Sequence, residues 1–356
     1  MTISVDERVQ RILFDAVSEV AEDRGFKAGS GALMNSETGE IIALASYPEF
    51  DNNLLTNKAN TTDAIDRREG SFINRAVSGL YSPGSTIKPF FAAAALEENI
   101  VTPESIIVST GQITVPNPYD PSIVYTYRDR KAFGPLNIFG ALAHSSNVYF
   151  YYIGGGYGSY EGLGINKLHN YANLFGFGSP TQTGMFHEPA GLVPSREWKY
   201  ATYEENWLPG ETYLTVMGQY AFQVTPLQLA RGIAVIANGG YLLEPHLENG
   251  GVAERVKISL SDKTLQVVQQ GMRQAVTGGT ARALNQYSIA AKTGTSQIGG
   301  DGTVNSLLIG FFPYEKPQYA FAIVMEESDT ESGAIAAAKL FFERLALYAP
   351  EYLETP

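Results

Sequence analysis

The sequence predicts an α+β protein built around one mixed sheet that both ends of the chain complete. Three observations predict it. Strand patterns lie at 30–47 and again at 287–293, 306–312 and 319–325, while helical periodicity fills the middle. The 36 glycines, 21 tyrosines and 18 phenylalanines favour a loop-rich fold with aromatic contacts over a helical bundle. Apolar residues make up 44 % of 356, enough to bury a sizeable core in one large domain or in two to three smaller ones.

Each element has its own signal. Thr2-Ile3-Ser4-Val5-Asp6 reads as a strand entering a helix, and the opening looks like a piece cut from a longer protein with Met1 added. Val9, Ile12, Leu13, Ala16, Val17 and Val20 recur at helical spacing through 7–22. Ala32-Leu33-Met34 and Ile41-Ile42-Ala43-Leu44-Ala45 flank Ser36-Glu37-Thr38-Gly39, the pattern of a hairpin with glycine in the turn. Residues 50–70 are polar and read as an exposed loop. A helix should begin near Ser85, after Pro83-Gly84, and run to Leu96, because Pro89 is tolerable only near a helix start. Residues 110–135 read as an excursion, 137–153 and 165–175 as helical, and 176–222 as irregular. Thr225-Pro226 opens a helix that Asn238-Gly239-Gly240 closes, and Ser261 caps another that reaches Val276. An apolar helix over 333–348 follows the last strand. Gly154-Gly155-Gly156-Tyr157-Gly158 lacks a phosphate-binding partner and reads as a loop, and Glu326-Glu327-Ser328-Asp329 reads as a solvated turn.

Composition also excludes. A net charge of −12 argues against nucleic acid as a partner. With no cysteine there is no disulfide scaffold, thiol nucleophile or cysteine zinc site, and His144, His169, His187 and His246 lack ligand-like spacing, so no metal is expected. No run approaches ~18 consecutive apolar residues, the length that spans a membrane.

One constellation carries chemistry. Ser85-Thr86-Ile87-Lys88 places a hydroxyl and an amine three apart at a helix start, on one face. A serine becomes a nucleophile when a base takes its proton, and a lysine serves if burial or a second cation disfavours its charged form. This is the chain's only S-x-x-K; Ser145-Ser146-Asn147 is its single S-x-N and Lys292-Thr293-Gly294 its single K-T-G. The roles fit together. Lys292 is the second cation beside Lys88. Ser145 relays a proton to the leaving group, and Asn147 orients Lys88 and a substrate amide. Thr293 and Thr295, with Lys292, receive a substrate carboxylate, and Gly294 lets substrate backbone lie along the strand. The N–H groups of Ser85 and Thr295 form an oxyanion hole. His144 beside Ser145 could suggest a serine–histidine hydrolase, but there is no G-x-S-x-G.

The three motifs in this order are the signature shared by serine β-lactamases and penicillin-binding proteins. Over nearly its whole length the chain resembles the transpeptidase domain of class B penicillin-binding proteins. Tyr81-Ser82-Pro83-Gly84-Ser85-Thr86-Ile87-Lys88-Pro89-Phe90 is similar to that family's catalytic helix start, and Tyr47-Pro48-Glu49-Phe50-Asp51-Asn52-Asn53 to its S-x-P-x-[FY]-D-x-N segment. Gly191-Leu192-Val193-Pro194-Ser195-Arg196-Glu197-Trp198-Lys199, Trp207-Leu208-Pro209-Gly210-Glu211-Thr212-Tyr213 and Met217-Gly218-Gln219 resemble the elongation (rod-shape) type more than the septal one. One departure is Asn305-Ser306-Leu307-Leu308, where the family often carries an aromatic wall.

The resemblance implies a β-lactamase/transpeptidase-like fold over 1–356. A mainly antiparallel sheet lobe would come from about 1–80 and 280–356, with an all-helical lobe over about 85–280. It implies a peptidoglycan D,D-transpeptidase that forms an acyl-enzyme on Ser85, needs no cofactor, takes stem peptides as substrates and is acylated by β-lactams. The full-length protein would sit on the outer face of the bacterial cytoplasmic membrane, through an N-terminal helix and pedestal absent from this chain, beside a polytopic membrane glycosyltransferase. Other readings are a D,D-carboxypeptidase, a β-lactam sensor or inactive scaffold, and a class D-type β-lactamase. The last carries an apolar residue where Asn147 stands.

Overall fold

A computed structural model describes residues 2–50, 70–117, 119–184, 187–299 and 302–354. The Asp51-Asn52-Asn53 match and nearly all of the 50–70 loop lie outside them. The chain opens with α1 (Glu7–Arg24), β1 (Ala28–Asn35) and β2 (Ile41–Tyr47), then reaches the buried helix α2 (Lys88–Glu97). Four short strands follow: β3 (Ile107–Ser109), β4 (Gln112–Pro116), β5 (Val124–Arg128) and β6 (Gly134–Leu136). Next come α3 (Ile138–His144), α4 (Asn147–Gly155), α5 (Gly164–Leu174), α6 (Arg196–Tyr203), α7 (Pro209–Val216) and α8 (Pro226–Ala237). A ribbon of β7 (Tyr241–Leu243) and β8 (Arg255–Lys257) leads to α9 (Asp262–Thr277). The chain closes with β9 (Ala290–Gln297), β10 (Val304–Phe312), β11 (Tyr319–Ser328) and α10 (Gly333–Tyr348).

The sheet runs β2-β1-β11-β10-β9, so the two chain ends do complete it. Every neighbouring pair in it is antiparallel, not mixed. Its central strands are covered on both faces and therefore read as continuous apolar runs. Period-2 alternation sends Leu307, Ile309, Phe311, Ala320, Ala322 and Val324 toward the helical part. Leu308, Phe312, Phe321, Ile323 and Met325 point the other way, into the core that α1 and α10 close. β9 is an edge strand, with Ser306 opposite Thr295 and Val304 opposite Gln297.

Local chemistry sets the ends of the elements. Asp6 accepts from the N–H groups of Arg8 and Val9 to start α1, and Gly25 ends it in the left-handed region. Thr225 and Gln228 cap α8 reciprocally, and Ser261 caps α9. Helix α2 is buried all round, which explains its alanines; Phe90 packs edge-on to Phe175 and Phe177 at 4.8 and 5.0 Å. Three ribbons, β3–β6, β4–β5 and β7–β8, accompany the helices of the middle segment. No described helix is long and apolar enough to cross a membrane.

Several expectations change. Residues 2–6 form a single bridge, Ile3 with Glu248, made by Ser4 N–H to the Leu247 carbonyl and Asn249 N–H to the Thr2 carbonyl, and the pairing goes no further because Asp6 N–H donates to the Ile42 carbonyl instead. The expected 137–153 helix is two helices, broken where Ser145 takes φ 58°. The 176–222 stretch holds α6 and α7, which are only eight residues each, too short for a periodic signal. Ser195 caps the first, and Glu211 accepts from Leu208 N–H at the second. The acidic run is no solvated turn: Glu326 lies within β11 in a nearly buried cluster, accepting from Arg75 Nε at 2.9 Å and from Tyr81 O–H at 2.5 Å.

Candidate active site

Ser85 lies in a 3₁₀ turn, Gly84–Ile87, that leads directly into α2. The turn is pressed against the sheet edge. Gly84 has φ 52°, and a Cβ there would stand 2.4 Å from the Thr295 carbonyl oxygen, so only glycine fits. Gly84 N–H donates to the Gly218 carbonyl at 3.0 Å, while Gly294 backs onto Thr86 and Pro83. The nucleophile candidate is thereby seated between β9 and the loop after α7.

Lys88, one turn on, is wholly buried. Its Nζ donates to the Ser145 carbonyl and to Asn147 Oδ1, both at 2.8 Å, and stands 3.3 Å from Ser145 Oγ. The left-handed turn at Ser145 makes this possible. It ends α3 and aims the carbonyl and hydroxyl of one residue at the same amine. Lys292, also wholly buried, donates to Ser145 Oγ and to the Thr293 carbonyl, both at 2.8 Å. Ser145 Oγ is thus the junction between two amines. Among the described residues Ser85 Oγ has no hydrogen bond to Lys88, whose Nζ is turned to Ser145 and Asn147.

Burial pushes Lys88 down to about 7; Asp129 opposes the shift and Arg130 adds to it. Lys292 is also lowered well below its ordinary value, first by burial, then by the charges of Lys88 and Arg130. Both amines meet at Ser145 Oγ, so the charge on each disfavours protonation of the other, and Arg130 adds to the shift on both.

The remaining sequence-selected residues converge on the same cleft. Thr293 Oγ1 donates to Thr280 Oγ1 at 2.8 Å, and Thr295 lies against Ser85 on the edge strand. Two cavities meet at Ser85. One, of about 180 Å³, lies over Thr293, Gly294 and Thr295; the other, of about 530 Å³, extends toward Asn147, Tyr151, Met217, Tyr220 and Gln297. Asn147 Nδ2 donates to the Arg128 carbonyl at 3.0 Å, tying α4 to the β4–β5 ribbon.

Several residues of the cleft carried no motif. Asp129 accepts from Ser146 Oγ at 2.6 Å, Val148 N–H at 3.1 Å and Ser109 Oγ at 3.3 Å. Arg130 and Glu331 form an ion pair at 3.1 Å and line both cavities. Thr280 belongs to the loop after α9 and donates its N–H to the Ala143 carbonyl. The only sequence signal for the first three was charge inside Tyr- and Ser-rich stretches of a chain with 17 % charged residues. Tyr220 reaches the larger cavity from a buried knot, donating to Glu211, which also pairs with the buried Lys199. In the expected aromatic wall, Ser306 Oγ donates to the Glu331 carbonyl at 2.6 Å and accepts from Ala334 N–H, so the position serves as a polar tie.

The family model for the penicillin binding protein transpeptidase domain matches residues 29–346. The peptidoglycan D,D-transpeptidase MrdA of Acinetobacter baumannii is 30 % identical over 349 residues, covering 89 % of this chain and 50 % of that protein. MrdA of Escherichia coli is 29 % identical over 337 residues, 84 % of this chain and 52 % of its own length. The chain thus spans about half the length of the curated relatives it matches. Pseudomonas aeruginosa PBP2, solved in complex with WCK 5153, superposes with a TM-score of 0.81 at 32 % identity, over 99 % of this chain and 77 % of that one. Helicobacter pylori PBP2, solved in complex with MreC, gives 0.82 at 27 % identity, over 98 % and 63 %. The chain belongs to the penicillin-binding protein transpeptidase domain family, as a class B domain homologous to the MrdA/PBP2 proteins of the rod-shape elongation type.

Proposed function

We propose that the chain is a peptidoglycan D,D-transpeptidase domain that works through an acyl-enzyme on Ser85. The observation that carries the reading is the hydrogen-bonded set Lys88–Ser145–Lys292, wholly or almost wholly buried beneath Ser85. A neutral Lys88 uses its two N–H groups on the Ser145 carbonyl and Asn147 Oδ1. Its lone pair is then left to take the proton of Ser85, whose oxygen attacks the penultimate D-Ala carbonyl of a stem peptide. The N–H groups of Ser85 and Thr295 receive the developing oxyanion. Ser145, held by both amines, passes a proton to the departing D-Ala amine. An amine from a neighbouring stem then attacks the Ser85 ester, releasing the serine and forming the cross-link.

Lys292 acts on this scheme from beneath: its amine faces Ser145, and Thr293 and Thr295 present hydroxyls to the small cavity where the terminal carboxylate would sit. The edge position of β9 suits a peptide laid along it as an added strand. β-Lactams would acylate the same serine. In the full-length protein the domain would stand on the outer face of the cytoplasmic membrane, beside a polytopic glycosyltransferase. An MreC-type partner is supported by the Helicobacter pylori complex. Intact-protein mass spectrometry after mixing with penicillin tests the reading. One penicilloyl adduct on the native protein and none on Ser85→Ala is expected, and an adduct on Ser85→Ala would overturn the assignment.

A further inference from the structure

The ion pair between Arg130 and Glu331 lies across the cleft where the two cavities meet. Arg130 follows β5, Glu331 precedes α10, and the pair joins the wall carrying the β4–β5 ribbon to the wall at the end of the sheet. Both residues line the small cavity over Thr293–Thr295 and the larger one beyond Ser85. A ligand extended along β9 from one cavity to the other therefore passes this pair.

The two residues are held differently at the backbone and loosely at the tip. Arg130 N–H donates to Asp129 Oδ1 at 2.9 Å, and Asp129 is itself fixed by Ser146, Val148 and Ser109. The Glu331 carbonyl is fixed by Ser306 Oγ. The side chains meet through one N–H to Oε2 contact at 3.1 Å, with 55 % and 58 % of their surfaces exposed. Half-exposed single-bond pairs of this kind hold weakly. Among the described residues Glu331 is the only acceptor the Arg130 guanidinium reaches, so most of its donor fork is unused. A guanidinium fixed at its root, free at its tip and able to offer a bidentate fork is built to take a carboxylate.

We propose that Arg130 is a specificity residue that receives a second carboxylate of the ligand, distinct from the terminal one directed to Thr293 and Thr295, and that Glu331 holds its place in the free protein. The ligand class is a peptide, or a β-lactam mimic, with an acidic group on the part that enters the larger cavity. Binding exchanges one carboxylate for another on Arg130 and leaves Glu331 to solvent. The inference rests on the acyl-transfer reading of the same cleft.

Benzylpenicillin and its α-carboxy derivative carbenicillin form the test pair, because they differ by one side-chain carboxylate. The quantity read is the ratio of their second-order acylation constants at Ser85, carbenicillin over benzylpenicillin. Any general effect of Arg130 on the buried lysines cancels in that ratio. Arg130→Gln should lower it roughly 5- to 10-fold, the worth of one partly solvated charge-assisted contact. Glu331→Gln should raise it, since the competing carboxylate is gone and the Ser306 tie to its backbone remains. An unchanged ratio in Arg130→Gln, or a lower one in Glu331→Gln, overturns the proposal. Calorimetric binding of the same pair to Ser85→Ala, with and without Arg130→Gln, reads the preference without acylation. Failure of both drugs to acylate native protein would sink the acyl-transfer reading, whereas an equal loss of affinity for both drugs on removing Arg130 would sink only the carboxylate receptor.

Discussion

Burying one amine is costly and burying two against one hydroxyl more so, and the protein does this with Lys88, Lys292 and Ser145. The cost is put to use if one amine is neutral near pH 7, and the Lys88 value of about 7 places it at that boundary. Below that pH Lys88 carries its proton and cannot accept another; above it the lone pair is free. Acylation of Ser85 by penicillin should therefore rise as pH climbs through about 7 and level off above it, as stopped-flow measurement over pH 5–9 would read. A rate falling across the same range would remove Lys88 from the base role. Lys88→Ala should lower acylation by ~10²–10⁴, and Lys88→Arg should not restore it, because a guanidinium stays protonated. At this scale the sequence was informative where motifs are short and unique. Ser85, Lys88, Ser145, Asn147 and Lys292 all meet in one cleft. Arg130 and Glu331 were illegible because their partnership spans 201 residues and no local pattern requires it.

Among elements, those defined by caps and periodicity were readable and those defined by tertiary support were not. Helices α1, α8 and α9 begin at Asp6, Thr225 and Ser261, residues whose side chains take up free N–H groups wherever the helix lies. The Glu326 site went unread for the opposite reason. The residues that follow it are polar, and only the fold brings Arg75 and Tyr81 to it. The break at Ser145 was invisible too, since serine has no general preference for the left-handed region and is held there by the lysines. Helix α2 shows how an element carries the site. The turn with Ser85 leads straight into it, and Lys88–Ala95 behind that turn are packed, Phe90 against Phe175 and Phe177. Phe90→Ala should cost roughly 3–5 kcal/mol in denaturant unfolding, through lost burial and the cavity left behind. A loss under ~1 kcal/mol would mean that the core around α2 re-closes and that the helix is not rigidly seated.

The whole molecule sets the fate of the acyl-enzyme, which no single residue or element decides. A β-lactamase must hold a water and a base against the Ser85 ester, whereas a transpeptidase must keep water from it while an amine enters. Among the described residues the carboxylates lining the two cavities are Asp129 and Glu331. Asp129 is fully committed, and Glu331 is paired with a cation across the cleft. Asp129 accepts from Ser146, Val148 and Arg130, donors brought from a helix start and a ribbon end. Glu331 faces Arg130 from the opposite wall. Lys88 is the base that acyl transfer itself uses and Lys292 donates to Ser145 Oγ, so among the described residues no further unpaired group stands ready as a hydrolytic base, and Asn147 stands where a class D-type enzyme would keep an apolar shelter. Hydrolysis of the ester should therefore be slow, and the opened drug should block the approach of an amine. Mixing the protein with a small excess of penicillin should consume about one equivalent in a burst and then nearly stop, with the adduct persisting by mass spectrometry. Sustained hydrolysis at a typical enzyme rate of ~10 s⁻¹ would show instead that a water and a base do reach Ser85, and the chain would be a β-lactamase built on the transpeptidase fold.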